Sequence, residues 1–320
     1  MGSRAAVRVS AGVTVQALMV GALLVGSSTP AFAARPAHNG GGGGGGGSTT
    51  TGFDVSYPQC GTTLPTSTAF GIVGVNGGVA SDSNPCFGPS LSYPAYTQSE
   101  IYWAVSTSTG TSNLKTKALL YVNTGDPGNV YNGKVISDWP TSSILGDPTS
   151  CLTTTVTLSS GTRTVGANSD GCAWQYGYNM AQADAASLTS AADAIANQES
   201  TVLVPATPSS YPWWLDVETA NTWQADTTMN VADLQGMIAG LEAAGVSSSY
   251  LGVYSTSSQW NTITGGTMTT ASGSLYGLAN WIPGGRTLRG AESNCTLTSF
   301  TRGRVTITQW TGTIDSDYAC

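Results

Sequence analysis

Apolar residues in this chain gather into short, nearly unbroken runs set between Gly, Pro, Ser and Thr clusters, the pattern of strands buried on both faces. Gly52–Ser56, Ala69–Asn76, Ala118–Asn123, Trp213–Thr219 and Tyr250–Ser255 are such runs. Other stretches carry a helical period. Ser99–Val105 presents Ile101, Tyr102 and Val105, and Tyr178–Asn197 repeats Met180, Ala183, Leu188, Ala191 and Ile195 in an alanine-rich background. A third stripe, Val231, Leu234, Ile238 and Leu241, follows Asn230 as its capping residue and ends at Gly245. Towards the C-terminus the pattern changes: Leu278–Ile282, Arg304–Trp310 and Ile314–Tyr318 read as strands with no amphipathic helix between them. The expected fold is α/β, a TIM-like barrel whose first half alternates strand and helix and whose last three strands do not. Tyr57–Thr68 is too short and too rich in Pro and Thr for a helix, and Val130–Gly171, with no clear period, predicts a long stapled loop.

Composition sets the compartment. Arg4 and Arg8 precede an apolar segment from Ala11 to Val25, and Ala31-Phe32-Ala33 offers the small residues of a cleavage site, so residues 1–33 read as a signal peptide. The apolar segment is too short for a stable membrane span, and no later stretch reaches the length a bilayer needs. Residues 34–51, with eight consecutive glycines at Gly40–Gly47, form a flexible tether with nothing to bury. The barrel domain is then 52–320, and the expected location is secreted, extracellular or cell-wall associated. Charged residues make up 9% of the chain with a net charge of −7, which gives no basic surface for nucleic acid or anionic lipid. A monomer is the expected state.

All six cysteines lie in the exported part, where an even count implies disulfides. Of the possible pairings, neighbours in sequence are expected: Cys60 with Cys86, Cys151 with Cys172, Cys295 with Cys320, each stapling a loop-rich excursion. No CxxC pair is present and the one histidine, His38, sits in the tether, so neither a metal site nor a histidine-based hydrolase is expected. No cofactor is implied either, because no phosphate-cradling loop lies between a strand and a helix.

The candidate chemistry is carboxylate chemistry. In Trp213-Trp214-Leu215-Asp216-Val217-Glu218 the two acids share one face of a strand, since side chains alternate. Neighbouring carboxyls oppose each other's ionisation, so one keeps a proton to donate near neutral pH, as glycoside cleavage requires. The spacing also arises by chance, and Asp315-Ser316-Asp317 repeats it.

Phe53-Asp54-Val55-Ser56, Phe70-Gly71-Ile72-Val73, Leu215-Asp216-Val217-Glu218, Gly252-Val253-Tyr254-Ser255 and Thr308-Gln309-Trp310 followed by Asp317 appear in this order. Together they resemble the family 25 glycoside hydrolases, lysozyme-type N-acetylmuramidases with a (β/α)5(β)3 barrel. The resemblance implies a catalytic cluster of Asp54, Asp216, Glu218 and Asp317, with Asp315 competing for the last place. Glu218 would be the general acid, and Asp216 would steady the charge developing on the sugar. Taken alone, Asp54 also reads as a turn acid and Asp317 as a surface residue. Tyr254, Trp281 and Trp310 are the substrate-binding candidates, Tyr254 by bonding the acids and the tryptophans by stacking on sugars. Asn76 joins them, standing where the family usually carries an acid. The expected substrate is peptidoglycan or another N-acetylated polysaccharide; an inactive glycan-binding module is the alternative.

Overall fold

Eight of the apolar runs close into a barrel, seen in a computed structural model that describes residues 50–320 apart from 78–79, 81–82, 112, 115, 128–137, 145–149, 159–160 and 267–273. The expected signal peptide and all but the end of the tether lie outside the described residues. The strands are β1 (Thr51–Val55), β2 (Gly71–Gly74), β3 (Ala118–Asn123), β6 (Trp213–Asp216), β7 (Leu251–Tyr254), β8 (Ala279–Gly285), β9 (Val305–Trp310) and β10 (Asp315–Ala319). Around the barrel they run β1-β10-β9-β8-β7-β6-β3-β2. All neighbours are parallel except β10, which is antiparallel to both β9 and β1. The remaining pair, β4 (Thr153–Leu158) and β5 (Gly161–Gly166), forms an antiparallel hairpin apart from the barrel.

Alternation along each strand splits the apolar side chains between two cores. Ile72, Leu119, Tyr121, Trp214, Trp281, Ile307 and Ala319 fill the barrel interior, whereas Val73, Leu120, Val122, Trp213, Leu215 and Val253 face outward to the helices. The adjacent tryptophans thus part company: Trp214 goes inside and Trp213 outside, its Nε1 donating to the Pro208 carbonyl at 2.9 Å. Gly252 makes room for Trp214, since a Cβ there would lie 2.2 Å from the indole ring.

The helices are α1 (Glu100–Thr107), α2 (Asp170–Ala196), α3 (Thr227–Ala243), α4 (Ser257–Thr264) and α5 (Leu288–Asn294). As expected, no helix links β1 to β2. Two differences from the sequence reading stand out. A helix, α5, does separate β8 from β9; its seven residues bury only Ala291, too few for a readable period. Part of the stretch read as loop is the β4–β5 hairpin, whose threonines carry strand propensity but no buried face. Helix α3 is capped by Asp226, which accepts from the Thr228 N–H. Asn230 is instead buried within the helix, donating to the Gln224 and Ile263 carbonyls.

All three disulfides join neighbours in sequence: Cys60–Cys86, Cys151–Cys172 and Cys295–Cys320. Helices α2 and α3 approach so closely that a Cβ on Gly236 would fall 1.9 Å from the Trp174 carbonyl oxygen. Backbone cannot step aside as a side chain can. Gly236→Ala is therefore expected to cost about 3 kcal/mol of stability, read as a lowered urea midpoint; an unchanged midpoint would mean the helices separate freely.

Candidate active site

The acids sit where parallel strands end. Asp54 follows from alternation on β1 and lies inside the barrel at 2% exposure; Asp216 closes β6 at 8%. Beyond Asp216 the strand pairing continues, with Val217 N donating to the Tyr254 carbonyl at 2.9 Å and Ser255 Oγ to the Val217 carbonyl at 2.7 Å. This extension carries the strand direction on to Glu218, whose charge acts on Asp216. The Glu218 carbonyl accepts from Trp223 Nε1 at 2.9 Å and from Asn221 N at 3.1 Å, fixing the turn that follows. Its carboxyl, half-buried, receives a bond of 3.4 Å from Gln259 Nε2 in the first turn of α4.

Of the competing acids on β10, Asp317 is the interior one. It is fully buried and accepts from Trp281 Nε1 at 2.8 Å. Asp315 is half-buried at the rim, accepting from Ser56 Oγ at 3.2 Å and Gly312 N at 3.0 Å. Asp54 stands opposite Asp315 in the β1–β10 register: its Oδ1 accepts from Ser56 Oγ at 2.9 Å and its Oδ2 from Gln309 Nε2 at 2.8 Å. Tyr254, half-buried, donates from its hydroxyl to Gln309 Oε1 at 3.1 Å. Burial, and then the charges of Glu218, Asp216, Asp54 and Asp317, raise that hydroxyl, so the four acids lie within electrostatic reach of Tyr254.

Burial governs their ionisation. It pushes Asp54 up to about 6 against the bonds from Gln309 and Ser56. Asp216 is held well above the carboxylate range by burial and then by the charges of Glu218 and Asp54. Burial also raises Glu218, opposed by Gln259. Asp317 is raised by burial and by Asp54. Burial therefore favours the protonated form of both acids, and the neighbouring charges of Glu218 and Asp54 favour it further at Asp216.

Three of the binding candidates are placed differently from expectation. Trp281 is only 3% exposed, with Tyr254 packed on it at a centroid distance of 4.5 Å, so neither face is open to a sugar. Trp281 points into the barrel interior, packed against Tyr121, Trp214 and Tyr254, and the strand continues past it to Gly285. Trp310 follows the inward-facing Gln309 and so alternates to the outer face of the sheet. Asn76, 4% exposed, is committed to the end of β3, accepting from Asn123 N at 2.8 Å and donating to its carbonyl at 2.9 Å. Sequence reasoning did not single out Gln309, Ser56 or Gln259. The alternation of β9, with Ile307 inward, was the available signal for Gln309. Among the described residues, no group of three or more His, Cys, Asp or Glu side chains is arranged to hold a metal ion.

A closed eight-stranded barrel with acids gathered at the strand ends is a fold of the lysozyme type. The chain matches the family model of Lysozyme-like protein 1 over residues 185–287. It is also 41% identical over 70 residues to Probable GH family 25 lysozyme 4 of Dictyostelium discoideum, a match covering 21% of this chain and 30% of that protein. No solved structure matches the chain significantly. These findings bear out the resemblance: the chain is similar to the family 25 lysozymes and is glycoside hydrolase-like. The family-model match contains Asp216, Glu218, Tyr254 and Trp281, and leaves out Asp54, Gln309 and Asp317.

Proposed function

We propose that this protein is an exported glycoside hydrolase that cleaves peptidoglycan or another N-acetylated polysaccharide. The observation that supports the proposal is the Asp216–Glu218 pair, one acid buried and the other half-buried at the barrel mouth, with burial raising Asp216 well above its ordinary value and Glu218 above its own. Glu218, the more accessible of the two, donates its proton to the glycosidic oxygen as the C1–O bond breaks, and the leaving sugar departs with that electron pair. Asp216 accepts from the N–H of the sugar's N-acetyl group and so orients the acetyl oxygen to close on C1, which steadies the charge developing there. A water then adds to C1 and returns a proton to Glu218. Export rests on the signal-like segment at residues 1–33, and the partner is the polysaccharide itself.

The test is direct. Purified protein lacking residues 1–33 is incubated with peptidoglycan and, separately, with chitin, and new reducing ends are counted while fragments are weighed by mass spectrometry. Fragments cut at the N-acetylated sugar are expected. Binding without cleavage would assign an inactive glycan-binding module, and neither binding nor cleavage would remove the carbohydrate reading.

A further inference from the structure

We infer that Gln309 is a positioning residue that fixes which member of the buried Asp54–Asp317 pair carries the proton, keeping Asp54 ionised and Asp317 neutral. The inference deepens the reading of the barrel mouth as catalytic and rests on it for its kinetic consequence only.

The donors decide the matter. Both oxygens of Asp54 receive a hydrogen bond, Oδ1 from Ser56 and Oδ2 from Gln309. Asp317 receives one, from the Trp281 indole on Oδ1, while its Oδ2 is buried with no donor. An acceptor in that position is costly unless it bears the proton itself, and as an O–H it has Asp54 to donate to. The effect on each acid agrees: interaction with Asp317 lowers Asp54, and interaction with Asp54 raises Asp317.

Within this set Gln309 has no substitute. Ser56 has one hydroxyl proton and serves two carboxylates, Asp54 at 2.9 Å and Asp315 at 3.2 Å. Gln309 gives Asp54 an undivided bond, and its amide cannot flip without cost because Tyr254 donates to Oε1. The chain Tyr254–Gln309–Asp54 thus points every donor the same way, toward the carboxylate. The groups facing Asp54 are otherwise acidic or neutral: Asp315 and Asp317 from β10, Asp216 from β6, Tyr121 from β3 and Tyr254 from β7. No cation holds its charge in place among them.

The test uses Gln309→Met, similar in length and without a donor, with Gln309→Glu as the charged contrast. Carboxyl carbons of Asp54 and Asp317 are followed by carbon-13 NMR from pH 3 to 9 in the protein from residue 34 onward, with Asp54→Asn and Asp317→Asn used to assign them. In the parent protein Asp54 should titrate below Asp317. In Gln309→Met the Asp54 midpoint should rise by about 1 pH unit or more, and the acid limb of kcat/KM on peptidoglycan should move with it while the melting temperature holds. Gln309→Glu should restore the parent order only in acid, where the new carboxyl carries a proton to donate. A parent protein in which Asp54 titrates above Asp317, or a Met variant whose midpoints do not move, would overturn the inference. The titration reads out even if the protein cleaves no glycan, so failure of the hydrolase reading and failure of this one are told apart.

Discussion

Glu218→Gln is expected to lower the rate of glycan cleavage by about 1,000-fold or more, the scale on which a general acid acts, with little change in binding or melting temperature. The amide is the same size as the carboxyl, and its oxygen can still accept from Gln259 Nε2 while Gln259 Oε1 stays with the Thr256 N–H. The turn after Glu218 is held through its backbone carbonyl, by Trp223 and Asn221, and so does not depend on the side chain. What the variant loses is a proton to give. Substrates with leaving groups that need no protonation, such as nitrophenyl glycosides, should be affected far less, and comparing the two substrate classes isolates the acid role. Equal loss on both, or loss accompanied by unfolding, would argue that Glu218 supports structure.

The second large effect is on stability. Four buried carboxyls away from or beside the mouth are raised by burial: Asp54 to about 6, Glu100 and Asp126 to about 7, and Asp184 well above its ordinary value. In the unfolded chain these groups ionise near pH 4. Between that pH and the folded-state values the folded chain binds more protons than the unfolded one, so stability is greatest in acid and is lost as pH rises. One such group withdraws about 3 kcal/mol, or about 6 °C or more of melting temperature, between pH 4.5 and pH 8. Calorimetry across this range should show a falling melting temperature. Asp184→Asn should flatten the fall, because Asp184 is raised by burial alone and its Oδ2 has no partner; a gain at pH 8 with none at pH 4.5 is the expected signature.

The barrel was legible because its strands are buried on both faces, which leaves runs such as Ala118–Asn123 and Trp213–Asp216 with no polar interruption. Asp216 was legible for a related reason, whereas Asp54 and Asp317 became candidates only through the resemblance to family 25 glycoside hydrolases. A carboxyl inside an apolar strand is conspicuous, and alternation settles its direction. Gln309 was not, since a neutral amide has no chemical signature until its partner is known, and that partner lies 255 residues away. Trp281 read as a platform because its run of apolar residues stops at Ile282, whereas the strand carries on through Pro283 and Gly284. The hairpin at Thr153–Gly166 escaped notice because exposure on both sides erases the alternation that marks a strand.

The first and last strands of the barrel are each other's neighbours, Asp54 paired with Asp315 and Gly52 with Asp317. A growing chain therefore holds an open seam until its final strand arrives, and the edge of β1 waits unpaired for a segment more than two hundred residues downstream. The pairing that seals the barrel is also the one that brings Asp317 beside Asp54. Completing the sheet thus also completes the surroundings of Asp54, which Asp315 and Asp317 share.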